Sequence, residues 1–190
     1  MDESPDRRVR RTRNLLHRAL IELMIERGYE RVTVTDVIDR ADVGRSTFYA
    51  HYRDKDDLLV VSCTDFLRRE IDRVRGAHGS PLAPLRVMFR LAADYPDVYR
   101  PLIGPKSSAT VLRAYQRSVT SIVTEQLDGR LEMDQSEFAD TVAFLSWGLI
   151  GLLESVIDTK DPTPPATSWK RFETLCTSGL ADRMRPAGSG

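Results

Sequence analysis

Apolar residues recur at the spacing of an α-helix along almost the whole chain. In the first such stretch they lie close enough to share one helix face, and they are Leu15, Leu16, Ala19, Leu20, Leu23 and Met24. Gly28 follows the stretch and predicts its C-terminal end. No segment alternates apolar and polar residues as a strand does. The pattern therefore predicts an all-α protein.

Turn-forming residues divide the rest of the chain into further predicted helices. The helices are expected near residues 33–41, 46–52, 56–74, 85–95, 96–103, 111–127, 136–157 and 169–180. The clearest linker, at residues 76–81, is rich in Gly, Ser and Pro. Residues 186–190 are expected to be a frayed end.

Two of the short predicted helices are joined by a tight turn. Thr33 can cap the first of them, with Asp36 three residues on as its partner. Asp42, Val43 and Gly44 then break the helical pattern before the second helix starts. This arrangement is a helix-turn-helix, in which the second helix presents its N-terminal residues to the major groove of DNA.

The second short helix carries hydrogen-bonding side chains and one long cation. An Arg can bond guanine O6 and N7 with two parallel N–H groups, and the methyl group of Thr can touch that of thymine. Arg45 is therefore the main candidate for reading bases, with Thr47 close by. Phe48 and Tyr52 are four residues apart and are expected to face the core, which directs Tyr49 outward.

At these residues the chain resembles the DNA-binding domain of TetR-family transcriptional regulators. The resemblance spans about residues 10–60 and rests on TVTDVI (33–38), ADVGRSTFYAHY (41–52) and DKDDLL (54–59). It implies an all-α protein with an N-terminal three-helix helix-turn-helix DNA-binding domain and a C-terminal helical ligand-binding and dimerisation domain. It also implies a homodimer that binds a palindromic operator, usually as a repressor released by a small-molecule effector.

The resemblance also implies roles for individual residues. Base edges would be approached by Arg45, Ser46 and Thr47, and phosphates by Thr33, Thr35, Tyr49, His51 and Lys55. Two residues depart from the family pattern, since Asp42 stands where Gly is usual and Gly44 where a Ser or Thr cap is usual. Asp tolerates the left-handed conformation, and Gly still caps a helix, so the turn is expected to survive.

Charge is balanced over the chain but not along it. Lys and Arg number 28, as do Asp and Glu, whereas residues 1–55 carry a small basic excess. Five arginines fall within residues 7–13, among them Arg10 and Arg11. They predict a basic N-terminal arm that binds DNA phosphates; the alternative is a solvated tail.

We expect residues 1–55 to form the DNA-binding domain, with its arm, and residues 56–190 the regulatory and dimerisation domain. The apolar run 144–153 must be covered on both sides, either by the core of a monomer or by a second subunit. We favour dimerisation through Trp147, Gly148, Gly151, Leu152, Trp169 and Phe172. An effector pocket could be lined by Phe66, Tyr95, Tyr99, Tyr115, Phe144 and Trp147, although such aromatics can equally be ordinary core.

Other classes of protein have little support in the sequence. We find no catalytic triad, phosphate-binding loop or dinucleotide-binding motif, so no catalytic residue is expected. Three separate histidines and two distant cysteines, Cys63 and Cys176, show no metal-ligand spacing, so neither a metal nor a cofactor is expected. The N-terminus lacks a signal peptide, and the longest apolar run, 142–153, is too short to span a bilayer. We therefore expect a cytoplasmic transcriptional regulator; the alternative is a helical small-molecule-binding protein or enzyme using the C-terminal cavity.

Overall fold

The structure is a computed structural model, and it describes residues 5–74 and 80–178. Within those ranges it consists of α-helices and two short 3₁₀ turns, Tyr29–Arg31 and Ala83–Leu85, with no strand. The helices are α1 (Pro5–Arg27), α2 (Val34–Ala41), α3 (Arg45–His51), α4 (Lys55–Val74), α5 (Arg86–Asp94), α6 (Pro96–Ile103), α7 (Ala109–Leu127), α8 (Gln135–Val156) and α9 (Pro165–Ser178). The all-α prediction is confirmed.

The chain divides into two compact units. Of the described residues, the first unit contains 5–69 and 95–115, and the second contains 70–74, 80–94 and 116–178. Residues 75–79 and 179–190, which include most of the predicted linker and the expected frayed end, lie outside the described residues. The functional boundary expected after residue 55 stays a prediction.

The core of the first unit forms where α1 packs on α2. The apolar face of α1 is buried as its spacing predicts, with the exception of Leu15, which is exposed. Val37, Ile38 and Ala41 bury the facing side of α2. α6 also packs against α1.

Backbone conformation at three positions sets the ends of the short helices. Gly28 ends α1 with a φ of 79°, which a residue without Cβ adopts at no steric cost. Thr33 and Asp36 form the reciprocal capping box at the start of α2. Asp42 ends α2 in the left-handed region, at φ 52° and ψ 49°. The turn therefore forms with Asp in place of Gly, as expected.

The second unit is built around α8, which packs against α5 and α9. Phe89, Trp169 and Phe172 form an aromatic cluster with ring centroids 5.8–6.3 Å apart. Of the described helices, α8 has the length and composition to cross a membrane, because the helix extends beyond its apolar run to 22 residues. One side of α8 is nevertheless buried within the protein, as in a core helix.

The basic segment predicted as an N-terminal arm is helical. The basic residues at 7–13 lie within α1, which begins at Pro5. Arg has a high helix propensity, and Pro is well tolerated in the first helical turn, so nothing in this stretch opposes a helix. The arginines are therefore held on a rigid helix.

Candidate nucleic-acid interface

The helix α3 separates a buried side from an exposed one. Phe48 and Tyr52 are buried, so they fix the helix on the core of the first unit. Tyr49 lies between these two residues in the sequence, and its side chain is 48% exposed, as the sequence predicts. The exposed residues of α3 include every residue that the sequence assigns to base edges: Arg45, Ser46 and Thr47.

Arg45 and Tyr49 lie one turn apart on this exposed side. The guanidinium carbon of Arg45 is 5.6 Å from the ring centroid of Tyr49. The Tyr49 ring in turn meets the ring of buried Phe48 edge-on, with centroids 5.3 Å apart and an interplanar angle of 85°. No described carboxylate pairs with Arg45, so its cationic head is available to a partner.

The end of α3 is tied to α1 and α4 through Arg13. Its Nε donates to the Tyr52 hydroxyl over 3.3 Å, and its second guanidinium nitrogen pairs with Asp65 at 3.0 Å. His51 is half-buried, with its ring centroid 6.3 Å from that of Tyr52. Arg13 therefore holds the basic part of α1 next to the C-terminal end of α3.

The start of α2 is held by a dense set of polar contacts. The Thr33 amide and hydroxyl both donate to the Asp36 carboxylate, over 2.8 and 2.6 Å. Arg27 pairs with the same carboxylate at 2.7 Å. These bonds, with Arg27 as the strongest influence, hold the pKa of the Asp36 carboxyl well below its ordinary value. Thr35 is exposed on α2.

A second ion pair fixes α2 on α1. Arg40 bonds both oxygens of Glu26 over 2.8 Å each and approaches Glu22 at 3.5 Å. Bidentate geometry of this kind restricts orientation more than a single contact does. The helix that precedes the turn is thus anchored at its beginning and at its end.

Lys55 points into the protein and makes several contacts there. Its ammonium group donates to the carbonyl oxygens of Tyr29 and Val32, each over 2.9 Å, and lies 4.1 Å from the ring centroid of Tyr29. The Tyr29 hydroxyl donates to Asp56, and burial together with this bond raises the pKa of Tyr29. A contact between Lys55 and a DNA phosphate stays a prediction. It requires the ammonium group to divide its N–H donors between the phosphate and the carbonyl oxygens of Tyr29 and Val32.

The outer side of α1 presents a basic face. Arg10 and Arg11 are exposed there, and the groove between the side chains is lined by Arg7, Arg10, Arg11, Asn14, Leu15 and Arg18. No acidic residue occurs between positions 7 and 18. The face therefore concentrates positive charge on one side of α1.

The residues assigned to dimerisation fall into two groups. Trp169 and Phe172 are buried within the second unit, beside Phe89. Trp147 is 49% exposed and Gly151 is exposed on α8. The remaining two, Gly148 and Leu152, are half-buried.

The residues assigned to an effector pocket are similarly divided. In the first unit, Phe66 meets Tyr95 edge-on at 6.5 Å, and Tyr99 meets Tyr115 edge-on at 6.3 Å. Phe144, in the second unit, is 72% exposed, as is much of Trp147. Exposure of this degree suits a surface contact better than the lining of an enclosed pocket. The pocket itself stays a prediction.

Three residues of the interface were missed in the sequence. Arg13, Tyr29 and Arg40 act through partners 14 to 52 positions away along the chain. Periodicity identifies the face of a helix but gives no signal for such pairs. Their identity followed only from the packing of α1, α2 and α4.

The described residues contain no cluster of His, Cys, Asp and Glu that could hold a metal ion. Cys63 is buried, and burial raises the pKa of its thiol to about 12. A thiol in this environment is unreactive at neutral pH.

Comparison with known proteins identifies the N-terminal segment. Residues 16–61 match the model for bacterial regulatory proteins of the tetR family. The HTH-type transcriptional regulator TcmR of Streptomyces glaucescens is 33% identical over 86 residues, which are 44% of this chain and 38% of TcmR. The matches to curated relatives span only 18–38% of the length of those relatives.

Solved structures extend the similarity to almost the whole chain. A TetR transcriptional regulator from Rhodococcus sp. RHA1 aligns with a TM-score of 0.71 at 19% identity, over 92% of this chain and 98% of its own. Thermus thermophilus FadR, a TetR-family transcriptional repressor solved in complex with lauroyl-CoA, aligns at 0.66 and 23% identity, over 94% and 100%. At such identities the likeness shows the fold, and it confirms the predicted arrangement of a helix-turn-helix domain with a helical C-terminal domain.

Proposed function

We propose that the chain, whose residues 16–61 match the model for bacterial regulatory proteins of the tetR family, is a sequence-specific transcriptional regulator that binds operator DNA. The observation that carries the proposal is the exposed side of α3, where Arg45 has no carboxylate partner among the described residues. A side chain held in this way can donate to the edge of guanine in the major groove. The buried side of the same helix keeps it fixed on the domain.

Phosphate contacts would surround this reading helix. The proposed contacts come from the start of α2, the exposed part of α3, the first residue of α4 and the basic face of α1, namely Thr33, Thr35, Tyr49, His51, Lys55, Arg10 and Arg11. Such contacts position a protein on DNA without reading its sequence. The tie between Arg13 and Tyr52 supports the inclusion of α1, because it joins this helix to the C-terminal end of α3.

We propose that the active form is a homodimer that pairs through α8. Phe144, Trp147 and Gly151 recur at helical spacing, and all three are exposed. They form an apolar stripe on α8, and Leu175 on α9 is a further exposed apolar residue of the same unit. Buried aromatic anchors dominate the stability of interfaces, and glycine lets a partner helix approach closely. Trp169 and Phe172 would support the interface from within the protomer.

Repression and its release by a small molecule are also part of the proposal. The effector would favour a dimer whose two α3 helices no longer match the operator spacing. Lauroyl-CoA is a suitable first probe, since FadR of T. thermophilus was solved with it. We place the protein in the cytoplasm, with its DNA, and assign it no catalytic reaction.

Selection from a pool of random duplex DNA tests the proposal. A two-fold dimer should enrich an inverted repeat with half-sites about 34–36 Å, or a multiple of that distance, apart. Addition of lauroyl-CoA to the resulting complex, with coenzyme A alone as control, then tests that effector class. Failure to enrich any sequence would contradict operator binding.

A further inference from the structure

The contact between Arg45 and Tyr49 assigns a second task to the tyrosine. Arg45 is the first residue of α3, and Tyr49 follows one turn later on the same exposed side. The 5.6 Å between the guanidinium carbon and the ring centroid is within the range of a cation–π contact. The contact therefore restrains the Arg45 side chain from within its own helix.

The ring of Tyr49 is itself restrained from below. Phe48 is fully buried, and its ring meets that of Tyr49 edge-on. An edge-to-face pair is a favoured geometry for two aromatic rings. The rings of Phe48 and Tyr49 therefore connect the buried core to the guanidinium group of Arg45.

We propose that Tyr49 is a positioning residue that holds the Arg45 guanidinium in the orientation needed to read guanine. This inference rests on the proposed DNA-binding function and adds a determinant of specificity to it. A cation–π contact uses none of the hydrogen-bond donors that lie in the plane of a guanidinium, so these N–H groups stay available. Those in-plane groups are the ones that donate to guanine O6 and N7.

The alternative for Tyr49 is a phosphate contact through its hydroxyl group alone. The two roles use different parts of the side chain, since positioning needs the ring and a phosphate contact needs the oxygen. A matched pair of variants separates them. Tyr49→Phe keeps the ring without the hydroxyl, and Tyr49→Leu removes the ring while keeping a good helix former.

The first step of the test defines the base pair that Arg45 reads. The probe is the tightest duplex that the wild-type protein selects from a random pool. Each G·C pair in it is replaced in turn, symmetrically in both half-sites, and the pair whose replacement no longer matters in Arg45→Ala is assigned to Arg45. Urea midpoints verify that all variants remain folded.

The second step measures discrimination at that base pair, as the affinity for the selected duplex divided by the affinity for the replaced one. A cation–π contact at an exposed site corresponds to a factor of about 2 to 5. We expect Tyr49→Leu to lower the discrimination by about that factor in each half-site and Tyr49→Phe to leave it unchanged. In the Arg45→Ala background, Tyr49→Leu should have no further effect on it.

The outcomes are distinct. Unchanged discrimination in Tyr49→Leu, or an equal loss in Tyr49→Phe, would overturn the positioning role and leave the proposed function intact. An equal effect of Tyr49→Leu with and without Arg45 would overturn it as well, because the effect would not pass through the arginine. If the wild-type protein selects no sequence at all, the proposed function fails, and the positioning role fails with it.

Discussion

The ammonium group of Lys55 lies 4.1 Å from the ring centroid of Tyr29 and donates to the carbonyl oxygen of the same residue. A second bond reaches the carbonyl of Val32, the residue immediately before the N-cap of α2. The first residue of α4 thus fixes the turn from which the helix-turn-helix begins. The contact connects the stability of the domain to the placement of its reading helix.

Replacement of Lys55 by Met should therefore destabilise the protein. Charge-assisted hydrogen bonds to two carbonyl groups are lost, and we expect the free energy of unfolding to fall by about 1–3 kcal/mol. Urea denaturation measures the change. Lys106→Met removes the same charge from an exposed position and serves as control. Equal stability of the two variants would show that the Lys55 contacts are not significant.

Acid should weaken the start of α2 through Asp36. The partners Arg27 and Thr33 hold the pKa of this carboxyl below its ordinary value of 3.8 in the folded protein. A group with a depressed folded pKa stabilises the protein above the unfolded value, and this contribution is lost as the pH falls through the folded value. The free energy of unfolding should thus decrease below about pH 4. The decrease should be smaller in Asp36→Asn, which has no carboxyl group to protonate at this position. Urea midpoints at pH 7 and pH 3 measure it, and parallel declines would refute the role of Asp36.

The basic face of α1 should contribute to the salt dependence of DNA binding. Each phosphate neutralised adds about 0.9 to the slope of log affinity against log salt concentration. The Arg10→Gln/Arg11→Gln variant should lower that slope by about 2 per bound chain and weaken selected and random duplexes alike. The control Arg113→Gln/Arg117→Gln removes two exposed charges from α7 and should leave the slope unchanged. Equal slopes for the wild type and the α1 variant would exclude α1 from the interface.

The apolar stripe on α8 should determine the oligomeric state. A carboxylate at Phe144 would be buried without a partner in a dimer, whereas in a monomer it would be solvated. We expect Phe144→Glu to sediment as a folded monomer and to lose affinity for the selected duplex. Ile25→Glu, at a position 68% exposed on α1, is the control and should remain dimeric. A wild-type monomer, or a dimeric Phe144→Glu, would contradict pairing through α8.

The elements that depend on local sequence could be predicted well. The capping box of Thr33 and Asp36, the stop at Gly28 and the burial of Phe48 all follow from residues within one or two turns of each other. Local spacing also identified the exposed side of α3. Such features are encoded by helix periodicity and backbone preference, for which neighbouring residues suffice.

The features that depend on tertiary packing could not be predicted. The Lys55 side chain points into the protein because its ammonium group bonds the turn at Tyr29, which lies 26 positions earlier. The different exposure of Trp147 and Trp169 depends on how α8 and α9 pack in the second unit. In each case the deciding contact is distant in the sequence.

The most direct test of operator binding by a dimer compares two duplexes in one titration. One is the inverted repeat selected by the wild-type protein, and the other is the same duplex with one half-site scrambled. Two chains that each read one half-site should bind the intact repeat at least 100-fold more tightly, on the order of the cost of several mismatched base pairs. Equal affinity for the two duplexes would contradict the account.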